Sequence, residues 1–160
     1  MSIEKVREFF TERGLGERVM EFSVSSATVE EAAIAVGTIP ARIAKSLTFM
    51  SKEGNCIMII AAGDTKIDNS KFKQKFGTKA KMLTPDEVVA FTGHAIGGVC
   101  PFGVGDKVEV YLDEGLRRFE TVFPACGSSN SAIELSCDEL FCHSGAIEWA
   151  DVCKPIIQAE

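Results

Sequence analysis

IAKSLTFMSKEGNCIMIIAA, residues 43–62, is the stretch on which the fold turns. Two apolar runs, Ile43 to Met50 and Cys56 to Ala62, flank the segment SKEGN, whose Gly and Asn suit a reversal of the chain. Together they predict a pair of strands with a short connection.

Toward the N-terminus, Thr28 and Glu31 have the spacing of a capping box, in which hydroxyl and carboxylate satisfy free backbone donors at a helix start. The helix that follows should end near Gly37. Val19 to Val24 reads as a short strand. In residues 3–13, Ile3, Val6, Phe9 and Phe10 recur at helical spacing between charged residues, which predicts a helix packing one stripe on the core.

Toward the C-terminus, residues 69–76 predict a helix stopped by Gly77. Thr84-Pro85-Asp86-Glu87 puts proline in a first helical turn, where its missing N–H costs nothing, so a second helix should run to about Phe91. Residues 107–112, 121–123 and 132–135 read as strands, 138–141 as a short helix and 146–149 as a last strand. The order is neither strictly alternating nor all strand. It predicts one α/β domain of mixed α+β type over residues 1–160: a curved mixed sheet, largely antiparallel, with helices packed outside.

The 160 residues are 46% hydrophobic, enough for one domain with its own core, and contain no apolar run long enough to cross a membrane. The N-terminus lacks the basic head and apolar stretch of an export signal, so a cytoplasmic protein is expected, with its six cysteines reduced. The net charge of -6 gives no general attraction to nucleic acid, so such a partner would have to be held locally. Lys71, Lys73, Lys75, Lys79 and Lys81, in a stretch without Asp or Glu, are one place for that; they equally suit a solvated helix face.

The segment TGHAIGGVCPFG, residues 92–103, holds four glycines and a proline directly after a predicted helix. Glycines let a ligand approach the backbone, and successive N–H groups around Gly97 and Gly98 can form a concavity for an anion. The segment matches neither a phosphate loop nor a dinucleotide fingerprint, so no cofactor is expected. Cys137, Cys142 and His143 carry zinc-binding groups, but their spacing is not that of a zinc knuckle, and no metal is predicted. Cys100 beside His94 would be a nucleophile only if the imidazole lowered its pKa.

Three segments in order, ARIAKSLTF with Lys45, TGHAIGGVCPFG, and CGSSNSAIELS, resemble the YbaK/prolyl-tRNA-synthetase-associated family of aminoacyl-tRNA deacylases, and the likeness covers most of the chain. The resemblance implies a YbaK-like domain hydrolysing the ester of a misacylated tRNA, with alanine or cysteine on tRNA(Pro) as the leading substrates and an aminoacyl-tRNA synthetase as a possible partner. It implies that Lys45 faces the substrate pocket, where its ammonium can meet a phosphate or ribose oxygen. It implies that Gly97 and Gly98 contact the scissile ester through their backbone, and that Gly93, Pro101 and Gly103 belong to the loop that shapes the site.

His94, inside that loop, can act as general base, orient a water or bond the aminoacyl group, or serve only as a structural partner. Gly127, Ser128 and Asn130 match a glycine-rich pocket strand. This sequence lacks the basic residue many relatives carry there, which leaves the amino acid and tRNA open. A module that binds tRNA or a nucleotide without cleaving it, and a hydrolase of another small ester, are the competing readings.

Overall fold

The structure, a computed structural model, describes residues 2–156. In chain order its elements are α1 (Ser2–Thr11), β1 (Met20–Glu21), α2 (Val29–Val36), β2 (Ile43–Met50), β3 (Cys56–Ala62), β4 (Thr65–Ile67), α3 (Asn69–Phe76), α4 (Pro85–Thr92), β5 (Val108–Asp113), β6 (Thr121–Pro124), β7 (Ser131–Ala132), β8 (Leu135–Ser136), α5 (Cys137–Ser144), β9 (Glu148–Ala150) and β10 (Cys153–Pro155). The expected mixed α/β architecture is what forms. A curled sheet of six strands in the order β8-β6-β2-β3-β5-β9 is flanked by two small antiparallel ladders, β1 with β7 and β4 with β10.

β2 and β3 form the expected antiparallel pair, from Ala44 opposite Ala62 to Met50 opposite Cys56. Within the six-stranded sheet, β2–β6, β3–β5 and β5–β9 are parallel and only β2–β3 and β6–β8 antiparallel. The antiparallel character expected from the sequence therefore rests on the central hairpin, the short β6–β8 pair and the flanking ladders. Parallel neighbours need long crossovers, and an apolar run does not reveal which partner it will find.

Every residue of β3 is buried. Side chains alternate along a strand, so Met58, Ile60 and Ala62 pack with Val6 and Phe10 of α1 and Leu140 of α5. Ile57, Ile59 and Ala61 pack on the other side with Phe72 of α3 and with Val152. Helices thus cover both faces.

The capping box at Thr28 forms as read, a second one forms at Thr84, where the sequence reading has only the proline of a first turn, and Gly37 and Gly77 end their helices in the left-handed conformation. One expected strand, over residues 132–135, divides. Ser131–Ala132 pairs with β1, the Ile133 N–H goes to the Pro124 carbonyl, and Leu135–Ser136 pairs with β6. The strands β4 and β10 are three residues each, too short for periodicity to announce them.

The glycine-rich segment after α4 is anchored by Phe102. It is fully buried, 4.6 Å from the Phe10 ring and 5.9 Å from the Phe9 ring, centroid to centroid. Phe102→Ala should therefore cost about 3–5 kcal/mol of unfolding free energy, as urea denaturation would measure.

Candidate active site

A cleft of about 260 Å3 opens on the face of β2 that carries Ala44, Ser46 and Thr48. The segment leading into α2, from Ser26 to Val29, forms one wall, and Met82, Leu83 and Val88 another. Ile96, Gly97 and Val99 of the glycine loop close it, with Phe123 and Ala125 beside Ser131 and Ala132 behind. Among the described residues, Lys45 is the one charged residue on its border, and no carboxylate, imidazole or thiol lines it.

All three sequence segments meet at this cleft, the third through Ser131 and Ala132. Gly97 lines it with φ +97°, a conformation that side-chain-bearing residues rarely adopt. Gly98 does not line it. Its N–H is bonded to the Ala95 carbonyl at 3.0 Å, and a Cβ at this position would stand 2.5 Å from the Ser128 nitrogen. Gly98 is there because two stretches of backbone touch, and its N–H is already spent.

Gly127, Ser128 and Asn130 lie behind the wall and hold it. Asn130 exchanges backbone and side-chain bonds with Phe22, and the Ser129 carbonyl accepts from Ser26 N–H at 2.6 Å. The Ser128 hydroxyl bonds both the Asn130 Oδ1 and the Ser131 hydroxyl. This tie fixes residues 22–26 and so delivers Ser26 to the cleft. Gly93 caps α4 in the left-handed conformation, Gly103 turns beside Lys5, and Pro101 is buried; none of the three borders the cleft.

Lys45 borders the cleft, but the register of β2 turns its side chain toward the face of Leu47 and Phe49. Its ammonium donates to the Thr65 carbonyl. Burial lowers its pKa below the ordinary lysine value, against the opposing pull of Cys153, Asp64 and Glu30.

His94, read from sequence as a possible general base, is fully buried behind the loop and does not line the cleft. Its Nε2 lies 2.9 Å from the Phe102 carbonyl, and burial lowers its pKa, so the neutral ring holds the loop closed. Cys100 does meet it, with Sγ 3.5 Å from Nε2. Complete burial pushes that thiol up to about 12, the opposite of an activated nucleophile.

Among the lysines, Lys71 pairs with Asp151 at 2.9 Å and Lys75 with Glu148, while Lys73, Lys79 and Lys81 are exposed. Backbone bonds from Met50 to Lys81 and from Leu83 to Thr48 lay residues 81–83 along β2, so Lys81 adjoins the cleft wall. Cys137 opens α5 with its thiol toward the Leu116 and Phe119 carbonyls. No group of three or more metal-binding side chains is assembled among the described residues.

Sequence reading missed Ser26, Ser46 and Thr48. The signal was present in β2, where Ala44, Ser46 and Thr48 share one strand face opposite the apolar Ala62, Ile60 and Met58. Two hydroxyls on a face turned inward point to a cavity rather than to close packing.

The family model for the aminoacyl-tRNA editing domain matches residues 24–141. The uncharacterized protein YwhH of Bacillus subtilis is 56% identical over 154 residues, 96% of this chain and 98% of that one. A candidate Cys-tRNA(Pro)/Cys-tRNA(Cys) deacylase of Enterococcus faecalis, EbsC, is 26% identical over 110 residues, 68% of this chain and 67% of that one. A solved structure described as a candidate trans-editing enzyme for prolyl tRNA synthetase superposes with a TM-score of 0.86 at 34% identity, covering 96% of this chain and 97% of that one.

Gly98→Ala brings a Cβ against backbone that no rotamer change relieves, and should cost about 1–3 kcal/mol of stability by urea denaturation. For His94, the unfolded chain takes up a proton near pH 6.5 while the folded ring resists it. Stability is therefore full above that pH and falls as pH drops below it. The melting temperature of the wild type should decline between about pH 7 and 5, and His94→Gln should flatten that decline.

Proposed function

This chain belongs to the aminoacyl-tRNA editing domain family, and on that premise we propose that it clears small misacylated residues, alanine or cysteine, from tRNA(Pro) in trans. The observation that carries this reading is one of position: every residue lining the cleft, from Ser26 to Ala132, falls inside the matched residues 24–141. Residues 1–160 act in this reading as one editing domain in the cytoplasm, where charged tRNA is used, with a prolyl-tRNA synthetase as the source of its errors.

The reaction is hydrolysis of the ester between the amino acid and the terminal ribose. Water adds to the carbonyl carbon, the bond to the ribose oxygen breaks, and that oxygen takes the proton. The cleft offers no side-chain base among its lining residues, so the vicinal ribose hydroxyl or a second water carries the proton. Charge developing on the carbonyl oxygen meets the backbone at Gly97 and the positive end of α2.

Gly98, Pro101 and Gly103, with Gly93 and His94 behind them, act by holding the loop. Gly127, Ser128 and Asn130 act by holding its far wall. Lys45 exchanges the neutral Thr65 carbonyl for a ribose or phosphate oxygen of the acceptor end, a stronger, charge-assisted bond. The size of the cleft supplies selectivity, since a synthetase pocket built for a larger residue cannot strongly exclude a smaller one.

Release of labelled amino acid from Ala-tRNA(Pro) and Cys-tRNA(Pro), against correctly charged controls, tests this reading. Wild type should release one of them rapidly, and Lys45→Ala should lower kcat/KM about 10- to 100-fold, the worth of one charged hydrogen bond. Tight tRNA binding with no release from any ester would replace the enzyme with a binding module.

A further inference from the structure

Among the described residues, three buried side-chain polar atoms lack a hydrogen-bond partner: Ser26 Oγ, Ser46 Oγ and His94 Nδ1. Two of the three border the same cleft. Ser26 is 7% exposed and held by its backbone bond to Ser129, and Ser46 stands between Ala44 and Thr48 on the cleft face of β2. A hydroxyl withdrawn from water without a partner is costly, and native chains rarely tolerate it without a reason. Here both serines line one cleft, whose other walls include the apolar Val29, Ile43, Ala44 and Leu83 beside the hydroxyl-bearing Thr28, Thr48 and Ser131.

The charge of the border narrows what the hydroxyls receive. A cationic side chain on the aminoacyl group would find no carboxylate among the described lining residues and a lysine nearby. A neutral hydroxyl would donate to one serine and accept from the other, and a thiol would do so more weakly. We propose that Ser26 and Ser46 determine specificity by bonding the side chain of the aminoacyl group. The enzyme then favours a small side chain bearing a hydroxyl, a thiol next, and the bare methyl of alanine last. This rests on the deacylase reading above and adds serine to the substrates proposed there, ahead of cysteine and alanine.

The physical basis is asymmetric. A methyl group in an apolar pocket is distinguished weakly, but a substrate that leaves two buried hydroxyls unpaired forfeits their desolvation in the bound state. The preference should thus lie in the residues that hold the hydroxyls and should vanish with them.

The experiment compares seryl and alanyl esters on the same tRNA(Pro), with kcat/KM for wild type, Ser26→Ala and Ser46→Ala. Wild type should favour the seryl ester by about 10- to 100-fold, and each variant should bring the ratio to within a few-fold of one. Both variants should match or exceed the wild-type melting temperature, since each removes a hydroxyl without a partner. A wild type that hydrolyses both esters at similar rates, or variants that lose both in equal proportion, overturns this specificity while leaving the deacylase standing. Inactivity toward every aminoacyl ester overturns both.

Discussion

Seven residue pairs lock β2 to β3, and since side chains alternate along a strand, that register assigns every β2 residue to a face. Ala44, Ser46 and Thr48 go to the side that opens as a cleft; Lys45, Leu47 and Phe49 go to the side packed beneath α3. A slip of one residue would exchange the two sets, burying the lysine in the cleft and the serine in the apolar layer. β3 enforces the register because all its residues are buried, with matched apolar clusters above and below.

The cleft needs a second constraint, the contact of two loops distant in sequence. Gly98 lies so close to Gly127 and Ser128 that no side chain fits between them. From that contact, bonds run through Ser129 and Asn130 to residues 22–26, and the start of α2 is set against the glycine loop. His94 and Phe102 secure the loop from behind, through a ring-to-carbonyl bond and aromatic packing. The resulting site is mostly apolar with several hydroxyls on its walls, borders one cation among the described residues and leaves two hydroxyls unsatisfied. Such a surface stabilises a reaction by shape, backbone dipoles and the substrate's own groups rather than by a side-chain base.

Much of the fold was legible because its signals are local. The hairpin, the helix stops at Gly37 and Gly77, the capping box at Thr28 and the proline start of α4 depend on residues a few positions apart, and they form where the pattern puts them. The division of residues 132–135 between two partners was not legible, because choice of partner belongs to the sheet and not to the strand. His94 shows the same limit in the site: a histidine among glycines reads equally as a general base or as a structural partner, and only its burial against the Phe102 carbonyl favours the second.

The sequence by itself determined the mixed α/β class, the two central strands and the three segments that carry the family resemblance, since hydrophobic period, caps and motif spacing act over short distances. Only the tertiary structure decided that Gly98 serves packing, that Lys45 spends its ammonium on Thr65, and that Ser26 and Ser46 reach one cleft. Those outcomes depend on which backbones meet and which polar atoms are left without water, and neither is a property of any segment alone.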